Sequence, residues 1–244
     1  MRHLILVLLA LATGCGGAAP GSMVQIRPPK NWEVTLEQQR AAKDDLFRRS
    51  PETPLLATDL PSFDGLEYWG PDSELFYVGP IHVNPQRVQF EMVTTAGKSR
   101  PCERFGWIEF PIEGMPHRLE VYRLLDMERG TTTQSLLLPF ADGTTGQETY
   151  PSGRYVDLEG PDGEIHVTPG PDGRPIAVGP FVLDFNRAYN PSCAYGAPEH
   201  FACPVTPREN RLEVRIEAGE RGFKLSQGER GSPAAANAEK VEPS

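Results

Sequence analysis

The chain has no surplus of positive charge. Its 33 acidic residues outnumber 24 basic ones, leaving a net charge of −9. No basic cluster is denser than Arg48-Arg49. That excludes a nucleic-acid binder, because neutralising phosphates needs a basic surface. No apolar run approaches the roughly 20 residues that a membrane-spanning helix requires. There is no G-x-x-x-x-G-K-[ST] sequence, so no P-loop to cradle a nucleotide. Cysteine is scarce, at four in 244 residues, and nothing supplies a fourth ligand at zinc-like spacing. Neither a metal nor a cofactor is implied.

What is there begins at the N-terminus. Met1-Arg2-His3 is a short positive segment, followed by the apolar run Leu4–Ala12. Too short to span a bilayer, this run reads as a secretory signal. It ends in Thr13-Gly14-Cys15, which resembles a bacterial lipobox, although Ala12 is a weaker choice than Leu at its position. The expectation is a signal peptide over 1–14 and lipidation at Cys15; an ordinary signal peptide with a chance cysteine is the alternative. Two acyl chains anchor stably where one is marginal. The protein is then held in the extracytoplasmic cell envelope, on the outer membrane facing the periplasm if the cell has one. Residues 15–31 have tether composition, 32–221 read as a single domain, and 222–244 lack apolar residues and read as a disordered tail.

Thr35 opens a capping-box pattern that predicts a helix from about Leu36 to Arg49, ending before Pro51. Its apolar face, Leu36, Ala42, Leu46 and Phe47, is thin, so the helix lies on the outside. From Glu74 onward short alternating runs are separated by turn words every 8–12 residues, the spacing of a sandwich or barrel. Val88, Phe90 and Met92 share one face, as do Phe105, Trp107 and Glu109. The last strand candidate is Asn210–Glu220. The fold class is mainly β: an antiparallel sandwich or partly open barrel with one N-terminal helix.

Two polar, glycine-rich stretches interrupt the β pattern, and sites usually lie in such loops. The first, Phe140–Tyr155, offers Asp142, Thr144, Glu148, Tyr150 and Arg154. The second, Asp184–Pro204, offers Asp184, Asn186, Arg187, Tyr189 and Asn190. Arginine binds carboxylate and phosphate bidentately, tyrosine stacks, and Asn and Asp can either converge on a ligand or cap turns. Cys193 and Cys203, ten residues apart in an oxidising compartment, are best explained by a disulfide, worth up to about 3 kcal/mol. A metal site of Cys193, His200 and Cys203, and a Cys193–His200 nucleophile pair, are minority readings. Cys102 is left over and reads as a small buried hydrophobe.

The stretches "FDGLEYWGPDSELFY", "LLLPFADGTTGQETYPSGRYVDLE" and "VLDFNRAYNPSCAY" resemble the family called domain of unknown function 1684, over about Glu37 to Glu220. The resemblance implies no activity. It implies that Asp184, Asn186, Tyr189, Asn190, Pro191, Cys193 and Tyr195 fall on signature positions and that His200 does not. The run "GPDGEIHVTPGPDGRPIAVGPF" looks longer than the family's usual link and predicts an added hairpin. Three functions follow as expectations: a lipoprotein binding a small polar ligand or envelope component through the two loops; a hydrolase-like enzyme using Asp184 or Glu148 as acid or base; and a structural envelope lipoprotein with no ligand.

Overall fold

The structure, a computed structural model, describes residues 21–125, 136–160, 166–169, 175–196 and 201–223. Cys15, His200 and the tail beyond 223 lie outside the described residues, so the expectations placed on them concern that remainder of the chain.

The longest pairing is a hairpin of β5 (Ser99–Ile112) and β6 (Met115–Leu124). Its turn residues Glu113 and Gly114 both have positive φ, 51° and 76°, as a two-residue turn matched to strand twist demands. A six-stranded antiparallel sheet runs β3 (His82–Val83), β5, β6, β7 (Leu136–Phe140), β8 (Arg154–Val156), with β4 (Gln89–Val93) also pairing β5. A four-stranded sheet runs β1 (Val24–Gln25), β2 (Phe76–Gly79), β12 (Phe181–Asp184), β9 (Leu158–Glu159). The two stack like a sandwich, not a closed barrel. Ile108, Phe110, Leu119, Val121, Leu138 and Phe140 of one face Tyr77, Leu158, Phe181 and Leu183 of the other in one core. The expected extra hairpin is present as β10 (His166–Pro169) and β11 (Pro175–Val178).

Four expectations are corrected. A β-bulge between Arg104 and Gly106 adds one residue to β5. Phe105 therefore turns into the core with Ile108 and Phe110, away from Trp107 and Glu109. Gly106 is required there, because a Cβ would strike the His82 carbonyl.

The folded unit starts earlier than the tether composition suggests. Met23 is fully buried, its N–H bonds Glu109 O at 2.6 Å, and β1 pairs β2. Phe223 at the other end packs on Phe63 and Tyr195.

The helix α1 (Trp32–Arg49) begins before Thr35. Trp32 N–H bonds Pro29 O at 2.9 Å, and the Thr35 hydroxyl donates to Asn31 O one turn back instead of capping. Ala42 and Leu46 are exposed. The inward stripe is Trp32, Leu36, Arg40, Lys43 and Phe47, with apolar ends and a cationic middle.

Asn210–Glu220 is extended but forms no strand; it makes only isolated bridges, Ala141↔Arg211 and Tyr68↔Glu220. Side chains take the place of a neighbouring strand. Asn210 Nδ2 donates to Glu120 O and Pro139 O at 2.8 and 2.7 Å, while its Oδ1 accepts from Glu120 N–H, so the amide fills the gap between β6 and β7.

Candidate functional site

The first signature stretch is structural. Arg154 is 1% exposed. Its guanidinium donates to the carbonyls of Ile216, Ala218 and Glu220, three alternate residues of the last segment. Burial lowers its pKa to about 10, with the Asp142 charge opposing. Asp142, 3.5 Å from Arg154, accepts from Thr144 Oγ1 at 2.9 Å and from Ile216 N–H at 2.6 Å. Thr144 in turn meets Thr149 Oγ1 at 3.1 Å. Every donor and acceptor in this cluster points into the fold. Glu148 is spent on Arg215 at 2.5 Å. Tyr150 is half-buried beside Cys193, and burial pushes its hydroxyl pKa up, with the Cys193 charge adding to it.

The second stretch divides in two. Asp184 caps the short helix Phe185–Arg187, accepting from Asn186 N–H, and its other oxygen accepts from Trp32 Nε1 at 2.7 Å. Asn186 is buried and clasps Asp72, its Oδ1 accepting from Asp72 N–H at 2.7 Å and its Nδ2 donating to Asp72 O at 2.8 Å. These two carry structure, and Phe185 holds the turn against the core at 5.2 Å from the Phe140 ring centroid. Asn190 donates through N–H and Nδ2 to Glu220 Oε2, at 2.9 and 3.3 Å. Arg187 and Tyr189 reach outward.

Arg187 and Tyr189 meet α1 across a pocket of about 200 Å3. Arg40 and Lys43 line it from the helix, Asp157 and Glu159 from the β8–β9 edge, and Glu220 from the last segment. No residue of 140–155 lines it. The two signature stretches touch through packing instead, where Tyr155 and Tyr189 exchange backbone hydrogen bonds at 2.9 Å.

Glu220 is the fixed point. It is 1% exposed, its Oε1 paired with the Lys43 ammonium and its Oε2 accepting from the Tyr195 hydroxyl as well as from Asn190. The ammonium also lies 5.1, 5.4 and 5.6 Å from the ring centroids of Tyr189, Phe47 and Tyr195, a cation–π setting. Arg40 donates to Trp69 O at 3.0 Å and Asn186 O at 3.3 Å and lies 4.4 Å over the Tyr68 ring. Burial lowers its pKa. Arg187 bonds Glu159 at 2.9 Å.

Asp157 accepts from the Tyr189 hydroxyl at 3.0 Å. Both groups are raised above their ordinary pKa, each chiefly by burial. Tyr189, Lys43 and Arg187 pull Asp157 back down without offsetting that burial. The residue keeps an open path to water, while the surrounding pocket desolvates its carboxyl; the direction of the shift follows the pocket.

The expected Cys193–Cys203 disulfide is not formed: both are free thiols, as is Cys102. They are nonetheless neighbours, Cys193 N–H lying 3.4 Å from Cys203 Sγ. The shared hydrogen bond lowers Cys193 to about 7, burial opposing, and raises Cys203. The turn residues bring the sulfurs together without bonding them. Cys102 is fully buried among Met92, Tyr122 and Leu124, as a small hydrophobe.

A family model described as "Protein of unknown function (DUF1684)" matches residues 61–221. The chain belongs to the DUF1684 family. The match starts after α1, so Arg40 and Lys43 precede the segment that marks a DUF1684 chain, whereas Asp157, Arg187, Tyr189 and Glu220 lie within it. No curated protein matches. Among solved structures, the uncharacterized protein from gene locus rrnAC0354 of Haloarcula marismortui is similar at 32% identity and a TM-score of 0.55, covering 79% of this chain and 95% of that one.

Of the loop candidates, Asn186, Arg187 and Tyr189 line this pocket; Arg40, Lys43, Asp157, Glu159 and Glu220 line it as well and were not singled out from the loops. One signal for the helix pair was in the sequence: Arg40 and Lys43 sit at positions that the 3.6-residue period assigns to the interior, between Trp32, Leu36 and Phe47.

Proposed function

We propose that this DUF1684 protein is a lipid-anchored envelope protein that binds a small polar ligand in the pocket between α1 and the segment 186–189. The observation that carries the reading is the convergence of charged side chains from α1, the β8–β9 edge, the second signature stretch and the last segment on one pocket. The volume, about 200 Å3, is below the roughly 300–1,000 Å3 of pockets for drug-sized molecules. A small metabolite or a headgroup-sized piece of an envelope component suits it. The anchor is Cys15, read from the signal-like N-terminus.

A thermal-shift screen of small polar metabolites tests the reading, since a ligand that binds only the folded state raises Tm. Gln39 is exposed on the pocket rim, so Gln39→Trp fills the opening without touching the core. Hits that vanish in Gln39→Trp support the pocket. Hits that persist unchanged place binding elsewhere, and a screen without hits favours a structural envelope protein.

A second reading is a hydrolase-like enzyme. It is favoured by the Asp157–Tyr189 contact, two titratable groups within hydrogen-bond reach in a cleft with shifted pKa. In this reading Asp157, not Asp184 or Glu148, is the acid or base. Tyr189→Phe separates the two: a binding protein keeps most of its affinity, while an enzyme loses turnover of a bound ester or amide.

A further inference from the structure

The pocket holds unspent hydrogen-bonding capacity of both signs. On the helix wall the Lys43 ammonium gives one of its three N–H groups to Glu220, and among the described residues no other acceptor bonds it. Across the pocket from α1, Arg187 bonds Glu159 through Nη1 and lies 3.5 Å from Asp184 through Nε, and its Nη2 has no acceptor among the described residues. On the facing wall, Asp157 accepts from Tyr189 through Oδ1, and Glu159 from Arg187 through Oε2. The second oxygen of each carboxylate accepts from no described residue.

We propose that the ligand is a small zwitterion, carrying an ammonium and a carboxylate or phosphate in one molecule. The proposal rests on the reading that this pocket is the ligand site. The ammonium goes to Asp157 and Glu159, and the anionic group to Lys43 and Arg187. A neutral ligand would replace the water on these groups with weaker, uncharged hydrogen bonds, and a ligand of one sign would offer charge-assisted bonds to the groups of opposite sign only. The raised pKa of Asp157 agrees in direction, because the pocket around its carboxyl desolvates it more than Tyr189, Lys43 and Arg187 offset, although the residue itself reaches water. Size narrows the choice further. A water molecule takes about 30 Å3 of the liquid, so a pocket of about 200 Å3 holds a ligand of on the order of half a dozen heavy atoms. L-Alanine and O-phosphoethanolamine are of this scale, the first standing for a free amino acid and the second for a lipid headgroup.

Isothermal titration of the mature chain with L-alanine, O-phosphoethanolamine, N-acetyl-L-alanine, L-alanine methyl ester and glycerol tests the proposal. Expected is binding of at least one zwitterion, with the acetylated and esterified forms weaker by about tenfold or more, the loss of one ion pair. The zwitterion that binds more tightly identifies the source. Asp157→Asn, on a residue exposed to water, should weaken the zwitterion and leave the acetylated form unchanged. Glycerol or N-acetyl-L-alanine binding as well as L-alanine would overturn the proposal, as would no heat from either zwitterion. A neutral probe that binds and is lost in Gln39→Trp would overturn the zwitterion and keep the pocket. Binding that Gln39→Trp leaves unchanged would overturn both.

Discussion

Arg154 and Arg187 have the same chemistry and opposite fates. Arg154 is sealed in and donates to three backbone carbonyls, so it does the work of a missing strand. Arg154→Met should cost about 3–5 kcal/mol, because it leaves Asp142 charged, buried and unpaired and strands those carbonyls; chemical denaturation measures it. A loss under about 1 kcal/mol would contradict the structural role. Arginine in a glycine-rich loop reads equally as anion site or clamp, and only burial separates the two. Nothing local to Arg154 states that burial, because the carbonyls it bonds lie more than sixty residues away. Asp157 makes a prediction of opposite sign. Its folded pKa is raised, so the folded state holds the proton more tightly than the unfolded chain. That contribution is present below the ordinary aspartate pKa and is lost as pH rises through the raised value. Tyr189, Lys43 and Arg187 face the carboxyl and act in the opposite direction without cancelling the shift. Asp157→Asn should therefore raise Tm at pH 7 relative to the parent, and the gain should vanish near pH 3. A lower Tm at pH 7 would show that the carboxylate is better compensated than its surroundings suggest.

At the scale of elements, strands were the legible part. Period-two alternation and turn words mark β5 and β6 directly, because their side chains face the core or water, and the long link between the two signature stretches marks the β10–β11 hairpin. The bulge in β5 was not legible: adding one residue flips the faces on one side of it, and no residue type announces it. The helix shows the same limit. Its end follows from Pro51, but its start, read at Thr35, lies at Trp32, and its inward face carries Arg40 and Lys43, so a purely apolar count selected Ala42 and Leu46 instead. Trp32 and Leu36 fix α1 against Phe76, and the Trp32 indole N–H reaches Asp184 at 2.7 Å. Trp32→Ala should cost about 3–5 kcal/mol from lost packing and, by loosening α1, abolish ligand binding at temperatures where the sheets remain folded. Hydrogen exchange along α1 checks this. Protection that stays at the wild-type level would show that the helix is held elsewhere.

For the whole molecule, the N-terminal pattern and the pocket are independent features that together define the account. Among the described residues no helix is long and apolar enough to cross a membrane, and the anchor at Cys15 is a proposal read from the N-terminal pattern alone. Cys15→Ser should release the protein from the membrane fraction into the soluble envelope fraction, while continued association with membranes would contradict lipidation. The site itself was the least legible feature, because its walls come from Lys43, Asp157, Tyr189 and Glu220, brought together only when α1 lies across the edge of the four-stranded sheet. The central claim is that this junction, and not the conspicuous stretch 140–155, is where the protein meets its ligand. Backbone amide chemical-shift mapping of the mature 15N-labelled chain, titrated with L-alanine and O-phosphoethanolamine, tests it most directly. The account predicts perturbations confined to 36–43, 157–159, 186–189 and 220; perturbations centred on 140–155, or none at all, would contradict it.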